Sequence, residues 1–571
     1  MLITLDLFLS LSKPPNFVKY FNERRSKLLE TLKSVSSVAL TSDIWSGNAK
    51  EDYLSIVAHY VNSDWQLEKR ILGLRLIDVS HNHENIAERV LTCIDEYGLT
   101  DKVFSITLDN ASANTKAMEI LAPALSGYVG ELFLHQRCAC HIINLIVKAG
   151  LEVFKPMLHA FRTIISFMYS SNLRIASYKN FCIAKGVRPR KFGLDMDVRW
   201  NATYLMLKHL IGHRAPFSVW ITANHPLVDG QPLLKENDWK AVEKLLLFLE
   251  QFYDSTVVLS GVYYPTSPLI MHHVLEIAAH LNTYERDRDL RNVVGPMKAK
   301  FEDYWSTIPM LYSFAFILDP RAKIRGFTNV LQIMSNLTDE NYSEYLTTVR
   351  ANLFDTFAKY DGKFGAMRLQ RAIVPGPASG KRKTAWGKIF GGTPGGGLGA
   401  GASLASGLGT GASLAAVGLG AGASLPPGLG GGASSSTRRP SACALLQATH
   451  SGANLNASKL AAYLDSDTIN QYDDYFNILN WWHEHKLSYP VLSILARDVL
   501  TVPVSTISSE SSFSLTGRII EERRRRLTSD MVEMLSLVKD WEQADTKTQH
   551  TMENVELVEA FENLYLDDEN V

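Results

Sequence analysis

Three acidic side chains, Asp43, Asp109 and Glu510, have the chemistry and the sequence setting expected of divalent-metal ligands. Asp43 and Asp109 each close a short β-branched, apolar run, and Glu510 opens a helical stretch within the serine-rich residues 508–514. Carboxylate oxygens are the hard ligands that Mg²⁺ prefers, and two such ions about 4 Å apart support in-line phosphoryl transfer. Taken singly, each acid is more simply explained as a helix cap or a surface charge. Together, they could converge on a metal-dependent phosphoryl-transfer site.

The residues around Asp43 have sequence patterns typical of β-strands. Residues 38–40 lead into Asp43 as a buried strand would. Residues 53–61 and 66–78 are two further β-rich runs, and the turn composition of residues 62–64 joins them as a hairpin. The pattern therefore predicts three antiparallel strands in this stretch.

A helix and a fourth strand follow. Residues 84–97 have apolar side chains at helical spacing, and Gly98 supplies the expected C-terminal cap. Residues 103–108 regain strand character and end directly before Asp109. The order strand, strand, strand, helix, strand is that of the first half of an RNase H-like domain. From about residue 154 to residue 370 the pattern is mainly helical, which predicts an insertion.

A glycine, alanine and serine tract separates this part from the C-terminal region. Such residues bury too little side-chain area to offset the entropy of ordering, so disorder is expected there. The predicted fold class is α/β, an RNase H-like catalytic domain interrupted by a large all-helical insertion domain. The predicted parts are an N-terminal helical remnant (1–36), the first part of the RNase H-like domain (37–153), the helical insertion (154–374), the disordered linker (375–455), a C-terminal region that completes the RNase H-like domain (456–545) and an acidic tail (546–571).

The overall composition excludes some classes of protein. The chain has 571 residues with 58 basic and 59 acidic side chains, so any DNA binding must come from local patches. Its 5 cysteines are few and odd in number, which argues for a reducing compartment without a disulfide framework. Asp6 interrupts the apolar start, and no basic stretch precedes it, so we expect no signal peptide. No strongly apolar run approaches the roughly 20 residues of a membrane span.

Several motifs, in this order, resemble the plant-type hAT superfamily of transposases. They are Thr41-Ser42-Asp43-Ile44-Trp45, Asp109-Asn110-Ala111-Ser112-Ala113-Asn114, Arg137-Cys138-Ala139-Cys140-His141, Val198-Arg199-Trp200-Asn201 and residues 489–518. The match covers most of residues 38–541 outside the glycine-rich tract. The resemblance implies a DNA-cleaving enzyme with Mg²⁺ or Mn²⁺ as cofactor, in which Asp43 and Asp109 hold the metal ions and Glu510 completes the triad. It also implies a homodimer or higher homo-oligomer formed through residues 456–545, acting on DNA in the nucleus.

Two of the motifs leave roles open. Cys138 and His141 form the family's Cys-x-x-His pair. A zinc site is one explanation, but no second clustered pair of ligands accompanies it, so packing and support of the active site are favoured. The rings of Trp45 and Trp200 could stack on a base drawn out of the duplex, or could be core residues. For Trp200, the neighbouring Arg199 favours DNA.

Basic clusters have similar alternatives. Phosphate contacts are expected from Arg188, Arg190, Lys191 and Arg199, because cationic side chains release the counterions condensed on DNA. Residues 523–526 could contact phosphate or solvate a helix end. Residues 381–383 could serve nuclear import or be an ordinary charged linker.

One departure from the family separates two functional hypotheses. Plant members usually have an N-terminal BED zinc finger, and no Cys-x-x-Cys with a following histidine pair precedes Asp43, so we expect that the finger is missing. The first hypothesis is a transposase that cleaves and transfers DNA strands. The second is a catalytically inactive, transposase-derived nuclear protein that acts by dimerisation and DNA binding.

Overall fold

The computed structural model describes residues 15–46, 51–77, 82–128, 130–193, 200–228, 230–365, 454–470, 476–513 and 528–546. Several predicted features lie outside these residues. They are the glycine-rich tract, the acidic tail beyond residue 546, the basic residues 381–383 and 523–526, and Arg199. Among the described helices, none combines the length and the apolar character needed to cross a membrane.

A five-stranded mixed sheet forms the first part of the chain. Its strands are β1 (Val38–Ser46), β2 (Asp52–Val61), β3 (Leu67–Ile77), β4 (Val103–Leu108) and β5 (His135–Arg137). The order across the sheet is β3-β2-β1-β4-β5; β1–β2 and β2–β3 are antiparallel pairs, whereas β1–β4 and β4–β5 are parallel. The predicted order of three antiparallel strands, a helix and a fourth strand is confirmed.

Asn62 explains the tight connection between β2 and β3. Its side-chain oxygen accepts hydrogen bonds from the backbone N–H groups of Asp64 and Gln66, at 2.9 and 3.0 Å. Asparagine favours turns because its side chain can bond to the backbone in this way. The predicted hairpin therefore has a local cause.

Three helices cover one face of the sheet. They are α1 (Pro15–Ser34), α2 (His83–Glu96) and α3 (Ser112–Leu125). Ile86, Val90 and Ile94 of α2 are buried in one apolar cluster with strand residues, as their helical spacing predicts. Asn82 caps the start of α2 by accepting from the Asn85 N–H, and Gly98 follows its end with φ of 62°. The predicted helix and its glycine stop are therefore confirmed.

Helices make up the next part of the chain. They are α4 (Ala139–Leu151), a 3₁₀ turn (Glu152–Phe154), α5 (Lys155–Tyr169), α6 (Asn172–Ala184), α7 (Trp200–Ile211), α8 (Arg214–Asn224), α9 (Glu236–Leu259), α10 (Ile270–Tyr284), α11 (Arg291–Trp305), α12 (Met310–Ile317), α13 (Lys323–Thr338) and α14 (Ser343–Phe364). Gly150 of α4 lets α11 approach closely, since a Cβ there would lie 2.5 Å from Met297 Sδ and 2.8 Å from Val293 Cγ1.

The C-terminal region packs on both the helices and the sheet. Its helices are α15 (Asn454–Asp465), α16 (Ile478–His485), α17 (Pro490–Thr501) and α18 (Ser529–Asp545), and residues 507–513 are also helical. Trp482 Nε1 of α16 donates to the Leu318 carbonyl in the helical part, at 3.0 Å. On the sheet, Ile71 of β3 donates its N–H to Asp540 of α18 and accepts from Trp541 Nε1. Helix α18 therefore satisfies backbone groups of the outermost strand.

Asp498 of α17 joins three parts of the molecule. Its carboxylate is 0 % exposed and accepts hydrogen bonds from Ser37 Oγ at 2.5 Å, Tyr128 OH at 2.8 Å and Tyr360 OH at 2.8 Å. Ser37 precedes β1, Tyr128 follows α3, and Tyr360 lies in α14. A buried carboxylate requires such partners, so this contact fixes the C-terminal region against both the sheet and the helices.

Candidate active site

Asp43 lies in β1, and Asp109 follows directly after β4, the neighbouring parallel strand. In the pairing of β1 with β4, Thr41 lies opposite Thr107, and each aspartate comes two residues later along its own chain. Because side chains alternate between the faces of a sheet, Asp43 lies on the same face as Thr41, and the two strands are about 4.8 Å apart. Both aspartates are half-buried. The structure therefore brings two of the three predicted acids to one place, where β4 ends.

Hydrogen bonds hold the Asp109 side chain in position. Its Oδ1 accepts from the Ala111 N–H at 2.9 Å and from Asn114 Nδ2 at 2.6 Å. Asn114 belongs to the first turn of α3, so the helix that follows β4 orients the acid at the strand end. Asp43 Oδ1 accepts from the Ile44 N–H at 2.9 Å. Asn114 ends the second motif, but its sequence position alone did not indicate that it orients Asp109.

Glu510 reaches this face of the sheet through residues 503–513, here called the serine segment. Thr107 Oγ1 donates to the Pro503 carbonyl at 2.9 Å, and Ser509 Oγ donates to Thr41 Oγ1 at 3.0 Å. The segment therefore crosses the two strands at the threonines that precede Asp43 and Asp109. Glu510 follows Ser509 directly, so all three predicted acids belong to one region of the fold.

The three carboxylates do not form a ready-made metal cage. Within the described residues, no group of three or more His, Cys, Asp or Glu side chains is arranged to hold a metal ion. Asp43 and Asp109 instead use an oxygen each to accept the hydrogen bonds given above. By donor type and by their place in the fold, the acids fit a divalent cation.

Cys138 anchors the serine segment and caps α4. Its buried sulfur accepts from the His141 N–H at 3.4 Å, the Thr506 N–H at 3.3 Å and Thr506 Oγ1 at 3.5 Å. Burial raises the pKa of the Cys138 thiol to about 11, and the negative charge of Glu510 adds to this rise. This thiol is therefore a hydrogen-bond acceptor within electrostatic range of Glu510.

Cys140 contacts α9 and also has a side-chain hydrogen bond with Ser505 of the serine segment. Its sulfur contacts the Thr256 carbonyl at 3.8 Å and Ser260 Oγ at 3.6 Å, both near the end of α9. The two thiols of this motif therefore have different partners. Such an arrangement matches the packing role expected for the motif better than the zinc site, which needs ligands converging on one point.

Comparisons with known proteins cover the same parts of the chain. Family models match residues 41–131 (ZBED1 RNase-like domain), 136–248 (ZBED1 RNase-like helical domain), 269–360 (hAT-like transposase, RNase-H fold) and 459–542 (hAT family C-terminal dimerisation region). The chain is 27% identical over 535 residues to the putative AC transposase of Zea mays, an alignment that covers 92% of this chain and 59% of that protein. The chain belongs to the hAT superfamily.

Other relatives extend this result. The chain is 26% identical over 559 residues to the putative AC9 transposase of Zea mays, covering 92% of this chain and 60% of that protein. It is 25% identical over 545 residues to the zinc finger BED domain-containing protein RICESLEEPER 2 of Oryza sativa, covering 91% and 67%. The chain thus spans about three fifths of the length of its two Zea mays relatives. In this hAT protein β2, β3, β4 and most of β1 lie within the residues matched by the ZBED1 RNase-like model, β5 lies beyond them, and residues 269–360 fold as helices.

The two tryptophans of the hAT motifs differ in exposure. Trp45 is half-buried, and its ring stacks on Phe513 of the serine segment with centroids 5.8 Å apart. Trp200 is 3 % exposed, and its ring packs against Tyr204 at 6.0 Å. For Trp200 this corrects the expectation that the ring faces DNA, because a ring enclosed on all sides cannot stack on a base. Here the core alternative agrees with the structure.

The basic residues expected to meet DNA phosphates are only partly described. Arg188 is exposed, whereas Arg190 and Lys191 are half-buried. The pKa of His209 is lowered to about 4, first by burial and then by the positive charge of Arg190. Arg190 is therefore close to other titratable groups of the helical part, and Arg188 is the more accessible cation.

Proposed function

We propose that the chain is the catalytic core of a DNA transposase, which cuts and joins DNA strands by metal-dependent phosphoryl transfer. The observation that supports this most is that Asp43 lies in β1 and Asp109 directly after the adjacent strand β4, where the serine segment that includes Glu510 crosses both strands. Membership of the hAT superfamily agrees with this chemistry.

Each residue would have a distinct task. Asp43 and Asp109 would hold Mg²⁺ or Mn²⁺, and Glu510 would complete the set of carboxylate ligands. Two such cations activate the attacking water or 3′-hydroxyl and stabilise the leaving oxygen. Asn114 would orient Asp109, and Cys138 would fix the serine segment through Thr506.

The same proposal extends to partners and location. DNA phosphates would be contacted by exposed Arg188, and the half-buried ring of Trp45 is the better placed of the two tryptophans to meet a base. The chain would act in the nucleus as a homodimer or higher homo-oligomer, since residues 459–542 match a dimerisation region. Sequence-specific recognition of transposon ends is not part of the proposal.

Metal-dependent nicking of supercoiled duplex DNA tests the enzyme. We expect wild-type chain to nick with Mg²⁺ or Mn²⁺, and Asp109→Ala to lose that activity. Asp101→Ala is the matched control, because Asp101 is an exposed acid just before the other end of β4. Equal nicking by wild type and Asp109→Ala would reject the proposed active site.

A second candidate is a transposase-derived protein that binds DNA and dimerises without cutting. Its support comes from relatives that bear other names, such as the putative transcriptional regulator tpeD of Talaromyces stipitatus, 21% identical over 551 residues. The absence of a preformed three-ligand group among the described residues is compatible with it. A salt-sensitive DNA complex formed by a dimer that never nicks would favour this candidate.

A further inference from the structure

A buried polar layer separates the serine segment from the sheet. The hydroxyl side chains in it are at most 2 % exposed and comprise Thr41, Ser55 and Thr107 from the strands and Ser505, Thr506, Ser508, Ser509 and Ser512 from the segment. Burying a hydroxyl group is costly unless it is hydrogen-bonded, whereas apolar packing has no such requirement. An interface built from hydroxyls therefore depends on the position of each partner.

Hydrogen bonds run through this layer from the segment to the sheet. Ser509 Oγ donates to Thr41 Oγ1 at 3.0 Å, and Ser55 Oγ donates to the Ser509 carbonyl at 3.4 Å. Thr41 Oγ1 also lies 3.4 Å from His59 Nε2. Ser509, the residue before Glu510, is therefore held by both β1 and β2.

Lys69 brings a charge into the same layer. It lies on β3 opposite His59, is 2 % exposed, and donates from Nζ to Ser511 Oγ at 3.3 Å. Ser511 in turn donates to the Ser508 carbonyl at 3.1 Å. Lysine is almost never fully buried unless it is paired, because removing an ammonium group from water is expensive. A buried lysine that contacts the residue after Glu510 needs an explanation beyond packing.

The positive charge of Lys69 affects the protonation of His59 within the layer. The pKa of His59 is lowered to about 3, first by complete burial and then by the neighbouring Lys69 charge. His59 is thus neutral at physiological pH. Lys69 pairs with His59, which pairs with Ala39 of β1, four residues before Asp43, so Lys69 lies on the same sheet but not beside Asp43.

We propose that Lys69 is a positioning residue for Glu510. Its ammonium holds Ser511 by a charge-assisted hydrogen bond and so fixes the helical turn that presents the glutamate. The inference rests on the proposed function of Asp43, Asp109 and Glu510. The hydrogen bond to Ser511 is the route by which Lys69 acts.

Amide hydrogen exchange of the full chain tests the positioning directly. The matched control is Lys102→Met, because Lys102 Nζ also donates within the chain, to the Leu32 and Lys33 carbonyls at 2.8 Å, but away from the serine segment. In Lys69→Met we expect the amides of residues 505–513 to exchange about 10-fold faster, with no such change in Lys102→Met. Unchanged exchange in this peptide would overturn the proposal.

A milder substitution keeps the test usable if Lys69→Met fails to fold. Lys69→Gln retains a hydrogen-bond donor but no charge, so its exchange in residues 505–513 should fall between wild type and Lys69→Met. Exchange in Lys69→Gln equal to that of wild type would show that the charge has no part in the positioning.

Nicking kinetics separate positioning from general stability. In Lys69→Met we expect kcat to fall about 10-fold while the KM for DNA is unchanged, and the Mg²⁺ concentration for half-maximal rate to rise. Ser511→Ala should have a smaller effect, and adding it to Lys69→Met should change little, because both act through one contact. Fully additive losses would reject the Ser511 route. If wild type never nicks, the proposed function fails, yet the exchange experiment still decides whether Lys69 positions the segment.

Discussion

Asp498 should be among the most sensitive positions for the stability of the whole chain. Its carboxylate is fully buried and accepts from three hydroxyl groups, those of Ser37, Tyr128 and Tyr360. Asp498→Ala would leave all three donors buried without an acceptor. Each such loss costs roughly 1–2 kcal/mol, so we expect the free energy of unfolding to fall by about 3–6 kcal/mol. Since domains are stable by only about 5–15 kcal/mol, this is a large fraction.

Graded variants separate the hydrogen bonds from the packing. Tyr360→Phe removes one of the three donors and keeps the ring, so it should cost about 1 kcal/mol. Asp498→Asn keeps the shape and one acceptor oxygen, and should lie between Tyr360→Phe and Asp498→Ala. Asp95→Ala is the control, because Asp95 is an exposed acid on α2 whose loss should change stability by about 0.5 kcal/mol or less.

Urea unfolding followed by far-UV circular dichroism measures these effects. The slope of free energy against urea should be similar in all four variants, so that the midpoints report stability. A free energy of unfolding for Asp498→Ala within about 1 kcal/mol of that of the wild type would refute the reasoning. It would mean that water or rearranged side chains satisfy the three hydroxyls at little cost.

Three further predictions concern packing, pH and the outer strand. Gly150→Ala should lower the free energy of unfolding by about 1–3 kcal/mol, because the added methyl group would force α4 away from α11. Gly295→Ala, where an added Cβ meets nothing within 4 Å, should stabilise the chain by about 0.5–1 kcal/mol. Thermal unfolding measures both variants, and equal shifts in their unfolding temperatures would contradict the prediction. The pKa of His59 is about 3 in the folded chain and 6.5 in the unfolded chain, so between these values only the unfolded chain gains this proton as the pH falls. Stability is therefore lost below about pH 6.5, by about 2 kcal/mol at pH 5. In urea unfolding at both pH values, His59→Gln should abolish this part of the loss. Asp540→Ala should cost about 1–3 kcal/mol because it orphans the Ile71 N–H, and unchanged exchange of that amide would contradict this.

The local sequence pattern was enough to predict the strands and helices of the sheet region and the elements that present Asp43 and Asp109. The spacing of Ile86, Val90 and Ile94 predicts α2, and the β-branched runs place Asp109 directly after β4 and Asp43 in β1, although β1 continues to Ser46 rather than ending at Asp43. These features depend on residues close together in the sequence, and the periodicity of apolar side chains reports directly on such local structure. The RNase H-like order of elements follows from them.

Contacts between distant parts could not be predicted in this way. Asp498 lies in a helix whose apolar stripe predicts burial, yet its partner Ser37 is 461 residues away. Lys69 sits in a strand where lysine normally points to solvent, yet it is buried and donates to Ser511 of the serine segment, a contact that local pattern does not reveal. Trp200 shows the reverse error, since a neighbouring arginine suggested DNA for a ring that belongs to the core.

The two ends of the helical part explain how the chain accommodates so much sequence between its acids. Ala139, at the start of α4, donates its N–H to the Val504 carbonyl of the serine segment at 2.7 Å. The described residues between these two positions are mainly helices, and the two ends of this part meet beside the site. For a flexible loop, each doubling of length adds only about 0.6 kcal/mol to the entropic cost of closure. Added length in a flexible connection between these helices therefore adds little to the closure cost, whereas a change in the few contacts that hold residues 503–513 on the sheet should displace Glu510 directly.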